Sequence, residues 1–198
     1  MIKIGFEISY VIRDIDSQIL KYYCKDIDKS FDEDSFHHKK DYIFDVIKFK
    51  SNSLKNKFLH IDYPFEIFGC AKTFGVNLPN TINMWLENLE KIEDDTYKAC
   101  AFGVRESELV MQGSMYFLSK SPCRFREIKF PEDGKEIWDD CDVVVTVDKR
   151  IAETKPEGKK LVLIKYGWNL DLEKYADLCY ESLDELLNDK DFFEKIKK

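Results

Sequence analysis

A chain of 198 residues, 44% of them hydrophobic and with 15 Phe and 10 Tyr, can bury one α/β domain plus a modest insertion without covalent staples. Its net charge of −7 argues against a general nucleic-acid binder, which carries a basic face, and gives no support to binding an anionic membrane. No run of about 18 apolar residues occurs, so no membrane span is expected. The opening MIKIGFEISY reads as a strand and lacks the apolar centre and cleavage site of a signal peptide, which points to the cytosol or a particle assembled there.

In chain order, residues 2–9 are apolar at most positions, as in a buried parallel strand. Residues 11–25 place Ile12, Ile15, Ile19 and Tyr22 at helical spacing. Residues 26–62 are polar and weakly periodic, a long loop or a small cap. Residues 64–74 and 80–92 look helical; the second carries Ile82, Trp85, Leu86 and Leu89 on one face and starts at Pro79 and Asn80. Strands are expected at 97–104, 124–130, 142–147 and 160–166. Helices are expected at 107–119, with Ser107 as cap, at 134–140 and over 180–197. This alternation predicts a single α/β domain over 1–198 with a doubly wound, mostly parallel sheet. A helical insertion follows the first strand–helix unit, over approximately 26–95. Any ligand site belongs at the strand C-terminal ends, at the topological switch point.

Isolated features are unremarkable. The six cysteines form no CxxC pair and read as small buried hydrophobes in a reducing compartment. His37, His38 and His60 lack metal-ligand spacing, and His37 and His38 read as part of a solvated loop. The acidic stretch 132–142 lacks EF-hand spacing and reads as a solvated helix with Trp138 packed inward. PEGKK at 156–160 reads as a tight turn, and there is no GxSxG elbow. The aromatic stretch 58–74 reads as core packing in preference to a partner surface.

The segment DDCDVVVTVDKRIAETKPEGKKLVLIKYGWN, residues 139–169, together with the first strand and its helix, resembles the haloacid dehalogenase-like (HAD) superfamily, especially its 5′-nucleotidase-like branch. The likeness covers about 1–25 and 97–190. It implies a HAD/Rossmann-like fold. In active members the first strand ends in Asp-x-Asp, where the first Asp attacks phosphorus and binds magnesium and the second protonates the leaving group. The matching positions are Glu7 and Ser9. Glu7 is one methylene too long, and a hydroxyl such as that of Ser9 is a poor general acid near neutral pH. Tyr10 stands where relatives carry Gly, and its ring would crowd a phosphate. The phosphate-binding hydroxyl after the second core strand is missing from Phe102, Gly103, Val104 and Arg105. The late acidic motif aligns with Thr146 and Val147, with Asp148 one residue on. Lys120 and Lys135 are candidates for the phosphate-binding Lys, and each also reads as an ordinary surface Lys.

The resemblance therefore implies degenerate family positions at Glu7, Ser9, Thr146, Val147 and Asp148, with no catalytic residue, metal or cofactor. Magnesium enters only if a phosphatase survives with Glu7 as an atypical nucleophile and Asp148 as a ligand. The pairs and stretches Ile4–Gly5, Val11–Asp14, Phe117–Lys120 and Trp138–Lys159 also look like degenerate HAD-like proteins of tailed bacteriophages, notably crAss-like phages. That likeness implies a structural virion component of the neck or tail, assembled in the bacterial host cytoplasm. Its expected partners are other virion proteins and further copies of itself in a ring.

Overall fold

The computed structural model describes residues 1–92 and 96–197. The chain opens with β1 (Ile2–Glu7), β2 (Arg13–Asp14) and α1 (Asp16–Asp26). The insertion contributes a 3-10 turn, α2 (Ile43–Val46), α3 (Asn52–Lys57), two π-helical turns at Phe58–Asp62 and Phe65–Gly69, β3 (Lys72–Thr73) and α4 (Leu78–Glu90). Then come β4 (Tyr97–Phe102), α5 (Glu108–Lys120), β5 (Ile128–Lys129), α6 (Ile137–Asp140), β6 (Val143–Thr146) and α7 (Lys149–Glu153). The chain closes with β7 (Lys160–Ile164), a 3-10 turn, β8 (Leu178–Tyr180), α8 (Leu183–Asn188) and α9 (Phe192–Lys197).

Six strands form one sheet in the order β5-β4-β1-β6-β7-β8, and every pairing is parallel. Taken in chain sequence these strands stand 3-2-1-4-5-6, the Rossmann-like doubly wound order. The switch point lies between β1 and β6. A parallel sheet is covered on both faces, so its strands are apolar on both. Ile4, Phe6, Val143 and Val145 join the core on one face, with Trp85 of α4 and Phe117 of α5. Val144, Leu161 and Leu163 join the core on the other, with Trp138 and Ile151. Gly5 is required by this second face: a Cβ there would stand 2.9 Å from Cys141 Sγ and 3.2 Å from the Phe102 ring.

The insertion does not stand apart from this core. Ile43, Phe58 and Ile67 are buried in the same cluster as Ile4 and Phe6. Its strand β3 pairs antiparallel with β2, which ties the insertion to the chain just after β1.

Several expectations change in detail. Residues 64–74 are not one helix but a π-helical turn followed by β3. Helix α1 starts only at Asp16; Ile12 and Ile15 are buried, but from the turn that precedes it. The strand expected over 124–130 is two residues long. β8 replaces the start of the helical region expected from 180. Ser107 stands at the N-cap of α5, yet its hydroxyl makes no cap hydrogen bond. Trp138 is buried as expected, and its indole N–H donates to Ile151 O at 3.1 Å. The cysteines divide: Cys100, Cys123 and Cys141 are buried, whereas Cys179 on β8 is exposed. His37 is exposed, but His38 is not solvated loop. It packs against the rings of Phe36, Phe74 and Tyr166. In the aromatic stretch, Phe58, Ile67 and Phe68 are buried and Phe65 and Ile61 are exposed. No helix among the described residues is long and apolar enough to cross a membrane.

Candidate functional site

The C-terminal ends of β1, β4 and β6 open into a cleft of about 800 Å³. Its floor is Glu7, Ser9, Gly103 and Val147, and the insertion roofs it with Tyr42, Lys55 and His60. The parallel register brings the candidate positions together: Glu7 ends the central strand, and Thr146 ends the neighbouring β6.

Glu7 is buried, 7% exposed. Its Oε2 accepts hydrogen bonds from the Thr146 hydroxyl and from Val147 N, the latter at 3.1 Å. The Thr146 hydroxyl in turn accepts from Asp148 N at 2.9 Å. Burial, reinforced by the charge of Asp148, pushes the Glu7 carboxyl up to about 8. Burial thus favours the neutral acid of Glu7 over its carboxylate.

Asp148 caps α7. Its Oδ1 accepts from Arg150 N at 2.7 Å and from Arg150 Nε at 3.0 Å, while Oδ2 accepts from Arg150 Nε at 3.1 Å and from Nη2. This forked pairing occupies both carboxylate oxygens.

Ser9 is likewise occupied. Its hydroxyl accepts from Arg13 Nη2 at 2.8 Å. Arg13 is fully buried, with Nη1 donating to Phe68 O at 2.9 Å and to Ser114 Oγ at 2.7 Å. The same guanidinium reaches Glu106 Oε1 at 3.2 Å and lies 5.1 Å and 5.4 Å from the ring centroids of Phe68 and Phe117. Glu106 folds back over the end of β4, where a Cβ on Gly103 would stand 2.4 Å from its carboxyl carbon. The absence of a side chain at Gly103 is what admits it. The HAD resemblance puts a phosphate-binding hydroxyl on this loop; here an internal carboxylate lies against it.

Tyr10 holds a left-handed backbone, φ 64°, a region that favours glycine and strains a bulky residue. Its hydroxyl donates to Asp16 Oδ1 at 2.8 Å, and its carbonyl accepts from the Tyr166 hydroxyl at 2.7 Å. The ring stands in the cleft wall against Trp168, 5.7 Å between centroids. Lys120 and Lys135 are exposed and do not line the cleft. Its lining cations are Lys55, Arg105, Lys149 and Arg150.

Magnesium, which the HAD resemblance would place here, does not fit these donors. It requires several free anionic or carbonyl oxygens. Burial disfavours the Glu7 carboxylate, whose Oε2 is turned onto Thr146 and Val147, and Asp148 is bound by Arg150. Among the described residues, no third His, Cys, Asp or Glu completes a ligand group around Glu7 and Asp148.

The sequence brought out Glu7, Ser9, Thr146, Val147 and Asp148 but not Arg13 or Glu106. The one available signal for Arg13 is a cation inside the apolar run Val11–Ile15. Glu106 carries none. No protein-family model and no curated protein matches the chain.

The raised Glu7 pKa links to stability. Between about pH 4.5 and 8 the folded state holds a proton that the unfolded state has released, so stability falls as pH rises through that window. Glu7→Gln removes this dependence. Relative to the parent protein, its unfolding free energy should rise by up to about 1.4 kcal/mol per pH unit across the window. Urea unfolding at pH 5.5 and 7.5 measures it, and a difference that does not change with pH would contradict the assignment.

Proposed function

We propose that this chain is a non-catalytic HAD-like domain that serves as a structural and interaction module of a bacteriophage particle, at the neck or tail. One observation carries the non-catalytic reading: the three strand-edge groups that could attack a phosphate, protonate its leaving group or hold magnesium are each bound to a neighbour within the chain. Glu7 is tied to Thr146 and Val147, Ser9 to Arg13, and Asp148 to Arg150. An attack on phosphorus needs an ionised, free nucleophile within about 3–3.5 Å of the reacting atom. A Glu7 carboxyl whose pKa burial raises to about 8, with Oε2 held by Thr146 and Val147, is poorly suited to that role.

A fold does not fix a function, and function lives in the site. With the site bound up internally, what remains is a stable scaffold with an insertion and exposed apolar side chains. Support for a virion role comes from the sequence likeness at Ile4–Gly5, Val11–Asp14, Phe117–Lys120 and Trp138–Lys159. These stretches hold scaffold residues: Gly5 beneath Cys141, the buried Arg13, Phe117 against its guanidinium, and the anchored Trp138.

Two measurements test the reading. Purified protein incubated with nucleoside monophosphates and an aryl phosphate in millimolar magnesium should release no phosphate above the rate of the Glu7→Gln variant. Turnover that this substitution abolishes would overturn the non-catalytic reading and leave a magnesium-dependent phosphatase. Mass spectrometry of purified particles should find the chain at a fixed copy number per particle. Its absence from intact particles would overturn the virion role.

A further inference from the structure

Behind Tyr10, on the side of the β1 loop away from the cleft floor, three potential ligand side chains converge. Asp14 ends β2, Asp16 opens α1, and His38 arrives from the insertion. We propose that Asp14, Asp16 and His38 bind a divalent transition-metal ion of the zinc class, and that this ion clips the insertion to the core. The proposal is independent of the reading above: it concerns other residues and holds whether or not the cleft is catalytic.

The geometry carries it. One ligand atom from each residue lies within 4.8 Å of the others. His38 Nδ1 stands 3.0 Å from Asp16 Oδ2 and 4.0 Å from Asp14 Oδ1. Donors bound to one ion at about 2.0–2.2 Å are separated by about 3 Å or slightly more, so a small inward movement of Asp14 completes the set.

A second observation points to a ligand. Asp16 is 1% exposed, and its Oδ2, which faces His38, has no hydrogen-bond partner. The contact at 3.0 Å is close enough for a hydrogen bond but lacks the alignment of one. The far nitrogen of the ring, Nε2, is buried and unpartnered as well. A buried carboxylate oxygen whose neighbour is one poorly aligned imidazole nitrogen is incompletely compensated, and a cation between Asp16 and His38 completes it.

The surroundings suit a bound ion. Tyr10 donates to the other Asp16 oxygen at 2.8 Å, and the Ser17 hydroxyl donates to Asp14 Oδ2 at 2.6 Å. Such outer contacts orient ligands and tune them. The imidazole is held between the Phe74 and Tyr166 rings. One imidazole with two carboxylates favours zinc or a related first-row ion over magnesium or calcium, which take oxygen donors. Three protein ligands leave a further position for water.

The test uses the full chain, stripped with chelator and titrated calorimetrically with zinc, manganese or magnesium chloride. Zinc should bind at one equivalent with micromolar affinity or tighter and raise the melting temperature; magnesium should bind at least tenfold more weakly. His38→Ala should weaken zinc at least tenfold, whereas His37→Ala and Glu7→Gln should not. Asp14→Asn, which keeps the shape of the side chain, repeats the test if His38→Ala does not fold. The absence of zinc binding, or binding that survives both His38→Ala and Asp14→Asn unchanged, would overturn the proposal.

Discussion

The buried guanidinium of Arg13 is the contact on which the rest of the molecule depends. Taking such a charge out of water costs several kcal/mol even after relaxation, and burial lowers its pKa from the ordinary value. The cost is offset by partners from four segments of the chain. Ser9 comes from the loop after β1, Phe68 from the insertion, Glu106 from the loop after β4 and Ser114 from α5. The rings of Phe68 and Phe117 contribute their faces. One side chain therefore ties the insertion to the β1 and β4 loops and to α5, through Ser9, Phe68 and Glu106, which line the cleft, and through Ser114. Glu106 is its counter-charge. Burial raises the Glu106 carboxyl, and the Arg13 charge opposes that rise.

The same economy of internal pairing governs the strand edge. A catalytic edge keeps its charged groups free and poised towards solvent or ligand. Here Glu7 is neutralised by burial and by Asp148, and Asp148 is neutralised by Arg150. The two strand-edge carboxyls are thereby held without a ligand. The strained backbone of Tyr10 belongs to this arrangement, because its hydroxyl and carbonyl are both held, by Asp16 and Tyr166. Strain of this kind persists where surrounding contacts over-determine it.

The sheet was legible because buried parallel strands leave continuous apolar runs, and IKIGFE and VVVT are such runs. Their ends then fixed which of Glu7, Ser9, Thr146, Val147 and Asp148 would meet. What the sequence hid is what long-range pairing decides. Arg13 and Glu106 meet across 93 positions, and apart from the apolar run around Arg13 nothing local marks either as buried. His38 has no spacing relation to Asp14 and Asp16, because its approach depends on how the insertion folds back through β2 and β3. Local pattern also failed where elements are shortest. The three residues of β8 give no period to read, and 64–74 carries enough apolar residues for a helix while its backbone turns twice.

The coupling between Arg13 and Glu106 tests this account most directly, through a double-mutant cycle on unfolding free energy with Arg13→Met and Glu106→Gln. Breaking a buried ion pair from one side strands the other charge, so Arg13→Met alone should cost about 3–5 kcal/mol. The double variant should recover at least about 1 kcal/mol relative to the sum of the single changes. Costs that add to within about 0.5 kcal/mol would show two independent side chains and contradict the claim that the rest of the molecule depends on this buried pair.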